Sequence, residues 1–188
     1  MHDIHPYLPE LFNYPGTLLY IGARVDAHSW LFELAKAANK VIILEVWRDN
    51  VAALTEMIRD NYGFSAPLWI IEGNVKNIDE IYPIEDETGF DYAFWWHGPE
   101  HLQVDEIKTV LTELEARTRR TLALACPFGL YPQGAHASNP YEVHRTTLYP
   151  EFFTELGYTV ATDGKPDTAG SEIVAWKKKY SSFEVYGD

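Results

Sequence analysis

Apolar runs of strand length recur along this chain, and amphipathic or loop-like segments separate them. This alternation constrains the fold more than any single motif does. The first run, Thr17-Leu18-Leu19-Tyr20-Ile21-Gly22, follows a Pro15-Gly16 turn. Near-continuous apolar runs of this length suit strands buried on both faces. Further runs lie at residues 40–46, 66–72, 90–96 and 121–126. Between the first two, residues 28–39 place Trp30, Leu31, Leu34, Ala35 and Ala38 at helical spacing. Asp49 is placed to cap a helix that buries Val51, Leu54 and Ile58. Pro99 suits the first position of a helix reaching about Arg117, with Ile107, Val110, Leu111 and Leu114 on one face. Pro150 opens a short helix that Gly157 ends, and the acidic stretch 79–87, with Pro83, reads as surface loop. The predicted fold class is α/β: a three-layer α/β/α sandwich on a mostly parallel sheet. The last two strands, 157–162 and 172–178, flank a segment with two glycines and a proline that suits a hairpin. The seventh strand is therefore expected to run antiparallel.

The 188 residues are expected to form one domain. Residues 1–16 are its lead-in, 127–149 a long loop over the site, and 179–188 a tail. A hydrophobic content of 46% with 14% aromatics excludes global disorder. The formal charge of −13 argues against nucleic acid and anionic membranes as partners. The single cysteine, Cys126, allows no intrachain disulfide and fits a reducing compartment. The N-terminus lacks a basic segment followed by an apolar one, and no apolar run is long enough to span a bilayer. The expectation is a cytoplasmic protein with a small-molecule partner. The oligomeric state is left open, and a homodimer is compatible with the sequence.

Several nucleotide and hydrolase signatures are missing. No Gly-x-Gly-x-x-Gly follows the first strand, and no Gly-x-x-x-x-Gly-Lys occurs. The chain also lacks Gly-x-Ser-x-Gly and any tyrosine followed four residues later by lysine. His97-Gly98-Pro99-Glu100-His101 matches His-x-x-Glu-His. A zinc-protease reading needs both histidines on one helical face, and Gly98-Pro99 breaks that spacing.

Informative residues stand at the strand ends. The first strand closes on Tyr20-Ile21-Gly22-Ala23-Arg24, and Glu45 ends the second, 23 residues after Gly22. Gly73-Asn74-Val75 follows the third, and Trp95-Trp96-His97 ends the fourth. With the element order, these residues make the chain from about Thr17 to Lys178 resemble the class I S-adenosylmethionine-dependent methyltransferases. The resemblance implies S-adenosylmethionine as cofactor. It places Gly22 where the backbone passes closest to that ligand, and Glu45 on the ribose hydroxyls. Asn74 and Val75 then meet the adenine, and Trp95 and Trp96 offer an aromatic face to the sulfonium. The family's acidic residue and second glycine are absent from the first turn, where Ala23-Arg24 stand. That departure motivates the alternative of a non-catalytic methyltransferase-like domain that binds a partner.

The remaining polar residues cluster in two segments. His97 and His101 follow the fourth strand and are the candidate general bases. Glu100, with Gln133, His136, Asn139, Glu142 and His144 of the 22-residue stretch 128–149, supplies groups for an acceptor pocket. Such a set is also chemically able to hold a metal, although none is assigned. The expected activity is methyl transfer to a small polar molecule.

Overall fold

The structure, a computed structural model, describes residues 9–25, 28–62, 67–82, 89–136 and 138–179. The first eight residues of the lead-in, the tail from 180 onward, residue 66 of the third run, residues 83–88 of the acidic stretch and the Trp30 side chain lie outside this description. Seven strands form one sheet: β1 (Thr17–Ile21), β2 (Lys40–Glu45), β3 (Leu68–Glu72), β4 (Phe90–Trp96), β5 (Thr118–Pro127), β6 (Thr159–Asp163) and β7 (Glu172–Lys178). Their order is β3-β2-β1-β4-β5-β7-β6. β7 is antiparallel to β5 and to β6, and the other pairings are parallel.

Burial on both faces explains the near-continuous apolar strands. β1 and β2 are buried along almost their whole length. On one face, α1 (Pro9–Asn13), α2 (His28–Ala37) and α3 (Arg48–Tyr62) contribute Leu11, Leu31, Leu34 and Leu54 to a core with Tyr92 and Phe94. On the other, α4 (Ile78–Ile81), α5 (Val104–Arg117) and α6 (Pro150–Glu155) contribute Ile78, Ile107, Leu111, Leu114 and Phe153 to a core with Phe90 and Trp95. Among the described residues, no helix is long and apolar enough to cross a membrane.

Local chemistry shifts several predicted boundaries. Pro99 opens a 3-10 turn, Pro99–His101, and α5 begins only at Val104. The Gln103 N–H donates to Glu106 Oε2 at 2.9 Å, which caps α5 at that point. Asp49 lies inside the first turn of α3 and does not cap it. The acidic stretch is not wholly loop, since Asp79 and Glu80 belong to the single turn of α4. β5 extends past both predicted ends, because it pairs with β4 from Thr118 and with β7 as far as Pro127. β6 starts two residues late, after Gly157 closes α6 in a left-handed conformation (φ 82°).

The strand order reverses between β1 and β4, because the chain runs outward to β3 before returning. Ligands of open α/β sheets lie beyond the carboxyl ends of the strands at such a reversal. β7 runs the other way, so its first residue, Glu172, sits opposite Pro127 at that same edge.

Candidate functional site

A cleft of about 740 Å³ occupies this edge. It is walled by the carboxyl ends of β1 to β5, the amino end of β7 and the long segment after β5. Every residue singled out from the sequence lines it except His136. His136 is exposed and bridges to Asn139 within the long segment, so it does not join the acceptor pocket predicted for it.

The turn after β1 is shaped by Gly22. Its φ of 74° is left-handed, a conformation that a side chain would strain. A Cβ built there meets nothing within 4 Å, so the backbone itself faces open cleft. The Gly22 N–H donates to the Leu44 carbonyl at 2.9 Å, which ties this turn to β2. One residue beyond Leu44, the Glu45 carboxylate is 4% exposed. Desolvation raises its pKa to about 7, against the lowering effect of the Trp47 N–H and the Asn50 side chain; the Glu142 charge adds to the rise. The Trp47 N–H donates to Glu45 Oε1 at 2.7 Å.

Asn74 and Val75 follow β3. Asn74 Oδ1 accepts the Lys76 N–H at 3.0 Å and so caps the 3-10 turn Val75–Asn77. The oxygen keeps a second lone pair. Trp95 and Trp96 point to opposite faces of the sheet. Trp95 is 2% exposed and belongs to the α5 core, while Trp96 stacks on Phe94 at 5.2 Å in the α3 core. Both still reach the cleft, as do Gly98 and Glu100 beyond them.

His97 has a left-handed backbone (φ 49°), uncommon for a residue with a side chain. Its Nε2 meets Glu172 Oε1 at 2.9 Å, and its Nδ1 lies 3.3 Å from Glu100 Oε1. Burial alone would lower the His97 pKa, but the two carboxylates outweigh it and raise the value to about 10. His97 is therefore an imidazolium near neutral pH. Both its nitrogens face acceptors, and it does not fit the role of general base.

The other two histidines are arranged differently. His101 Nδ1 lies 3.3 Å from the Val143 carbonyl, and His144 Nδ1 lies 2.6 Å from the Tyr131 carbonyl. A carbonyl only accepts, so each Nδ1 carries the hydrogen, and a ring in its neutral form then presents Nε2 as a lone pair. Burial lowers the His144 pKa, which favours that neutral ring. The two rings pack edge to face at 5.0 Å.

Backbone bonds hold the long segment against this corner. The Glu100 carbonyl accepts the N–H groups of Arg145 at 2.8 Å and Thr146 at 3.2 Å. Gln133 Nε2 donates to the Glu142 carbonyl at 2.9 Å, and Asn139 Oδ1 accepts the Tyr141 N–H. Arg24 reaches from the β1 turn to Glu142 at 3.2 Å, and Trp47 packs edge to face on Tyr141. The segment therefore touches both the Gly22 end and the His97 end of the cleft.

Sequence reasoning missed Arg24, Lys76, Tyr131, Tyr141, Arg145 and Glu172 as cleft residues. Glu172 carried a readable signal. The first residue of an antiparallel final strand lies at the carboxyl edge of its parallel neighbours.

No family profile and no curated protein sequence matches the chain. Solved structures do match its fold. The magnesium protoporphyrin IX methyltransferase of Synechocystis PCC 6803, solved with bound S-adenosylmethionine, aligns with a TM-score of 0.65 at 14% identity, over 94% of this chain and 76% of that one. The N-methyltransferase NodS of Bradyrhizobium japonicum WM9 gives a TM-score of 0.63 at 10% identity, over 94% of each chain. The N-terminal domain of EvdMO1, solved in the presence of S-adenosylhomocysteine and D-fucose, gives 0.65 at 14%, over 91% of this chain and 79% of that one. The chain has the Rossmann-like fold of the class I methyltransferases.

Proposed function

We propose that the cleft binds S-adenosylmethionine and transfers its methyl group to a small polar molecule. One observation carries the reading. The open left-handed turn at Gly22 and the buried carboxylate of Glu45 end adjacent parallel strands and share a single cleft at the reversal of strand order. A dinucleotide- or nucleoside-binding α/β fold needs that pairing of exposed backbone and ribose-directed acid. The structural neighbours solved with S-adenosylmethionine or S-adenosylhomocysteine support the same ligand.

Glu45 is placed to accept the ribose hydroxyls, and Gly22 to lie along the amino-acid part. Asn74 and Val75 are placed for the adenine. Trp95 and Trp96 border the cleft from opposite faces of β4, and either ring would offer a sulfonium an aromatic surface. When bound, the cofactor supplies an electrophilic methyl group on a positively charged sulfur. The chain's own contribution is positioning and exclusion of water. An oxygen or protonated nitrogen acceptor must also lose a proton, and Nε2 of His101, whose Nδ1 is held by the Val143 carbonyl, takes it. Glu100, Gln133, Asn139, Glu142 and His144 orient the acceptor.

Incubation with S-adenosylmethionine and fractionated small-molecule extract tests this, read as release of S-adenosylhomocysteine. Release with at least one fraction is expected. No measurable binding of S-adenosylmethionine, with no release from any fraction, would favour the binding-module alternative.

A further inference from the structure

We propose that Glu100, His101 and His144 bind one divalent transition-metal ion at the acceptor end of the cleft. Each residue offers one ligand atom, and the three atoms lie within 4.8 Å of one another. Ligands at about 2.0–2.2 Å from a common ion sit roughly 3–4 Å apart, so small side-chain adjustments close the set.

The donors are already prepared for this role. Metal-bound histidines usually donate their second ring N–H to a carbonyl or carboxylate, which fixes the tautomer and aims the other nitrogen at the ion. Here both rings do so, His101 to the Val143 carbonyl and His144 to the Tyr131 carbonyl. Each therefore aims Nε2 away from its anchor.

Glu100 supplies an independent observation. It is 2% exposed, and apart from the loose His97 contact on Oε1 neither carboxylate oxygen meets a hydrogen-bond donor among the described residues. Its oxygen lies 4.0 Å from His144 Nε2, and His97 sits on it at 3.3 Å. The His97 cation offsets part of this charge, but an ionised carboxylate has about four acceptor sites, and leaving most of them empty in a buried place is costly unless another cation takes them. The His97 contact leaves room for an ion. The backbone bonds from Arg145 and Thr146 to the Glu100 carbonyl fix the carboxylate's segment against that of His144. The trio is thus held by structure present without metal.

Two imidazoles and one carboxylate suit zinc, manganese, iron or cobalt better than magnesium or calcium. Three protein ligands leave at least one open position, and all three line the cleft. The class of acceptor that such a site favours is one with an oxygen donor able to bind the ion. This last point rests on the methyl-transfer reading. In the metal-loaded protein His101 would serve as a ligand in place of acting as the base: the ion would lower the pKa of a bound acceptor hydroxyl, its proton would pass to water in the open cleft, and the oxygen would take the methyl group.

Calorimetry with zinc chloride on tag-free, chelator-treated protein tests the site. One equivalent is expected to bind. Losing even an outer-shell partner weakens metal binding about 10- to 100-fold, so His144→Ala and Glu100→Gln should each weaken it about 100-fold or more. Cobalt titration should give visible d–d bands that vanish in the same variants. His101→Gln, with folding checked by circular dichroism, covers a failure of Glu100→Gln to fold. Absence of zinc binding in the wild type, or equal affinity in wild type and variants, would overturn the proposal. Cofactor calorimetry on the same samples separates the two readings. S-adenosylmethionine binding without zinc binding sinks only the metal site, and zinc binding without the cofactor supports the site while sinking methyl transfer.

Discussion

Replacing Glu45 by Gln removes a buried charge while keeping the side chain's shape. In the folded chain this carboxyl has a pKa of about 7, against an ordinary glutamate value of 4.5. Between those values the folded state binds more protons than the unfolded state. Stability therefore falls as pH rises from about 4.5 to about 7, then levels off. A shift of that size corresponds to about 3 kcal/mol, and the 4% exposure leaves little solvent to screen it. Glu45→Gln has no such dependence. Its amide oxygen can still accept the Trp47 N–H, less strongly than a carboxylate does. Urea denaturation followed by circular dichroism at pH 5 and pH 8 gives the comparison. At pH 8 the variant should be about 2–3 kcal/mol more stable than wild type, and at pH 5 the difference should nearly vanish. The same variant should bind S-adenosylmethionine about ten- to a hundredfold more weakly, because charge-assisted hydrogen bonds are lost. An equal stability difference at both pH values, or a variant less stable at pH 8, would refute the reasoning.

Gly98→Ala would drive a Cβ into the indole of Trp95, a side chain 2% exposed. The expected loss is about 3 kcal/mol, with a shifted tryptophan emission, and an unchanged melting temperature would show that the indole can move aside. His101→Ala should lower turnover about 10²- to 10⁴-fold with cofactor affinity nearly unchanged, measured by S-adenosylhomocysteine release and calorimetry. Full activity would leave positioning alone to account for the rate. Truncating Arg24 to Ala, which breaks a partly exposed pair with Glu142, should change stability by no more than about 1 kcal/mol in chemical denaturation.

The layered fold was legible because its cause is local. Strands buried on both faces must be apolar throughout, as β1 and β2 are, and helices that cover a sheet must be apolar along one face. The antiparallel direction of β7 was legible from the glycines and proline between it and β6. Exact helix starts were less so. Pro99 fits a 3-10 turn as well as an α-helix, and the choice fell to the Gln103–Glu106 contact.

That Gly22, Glu45 and Asn74 share one edge of the sheet was legible, because strand-end rules act over single turns and each position could be read by itself. The histidine corner was only partly so. His97, Glu100, His101 and His144 do converge, but Glu172, which with Glu100 makes His97 a cation, is 75 residues from it. No periodicity links them, and only the antiparallel end of the sheet brings them together. His136 was placed wrongly for a similar reason: loop composition says that a segment is polar, not which of its side chains turns inward.

The central claim is that Gly22 and Glu45 frame a site for S-adenosylmethionine. Isothermal titration of the wild-type chain and Glu45→Ala with S-adenosylmethionine and S-adenosylhomocysteine tests it most directly. One equivalent of each should bind the wild type, and the substitution should weaken both about ten- to a hundredfold. No binding to the wild type, or an affinity that Glu45→Ala leaves unchanged, would contradict the account.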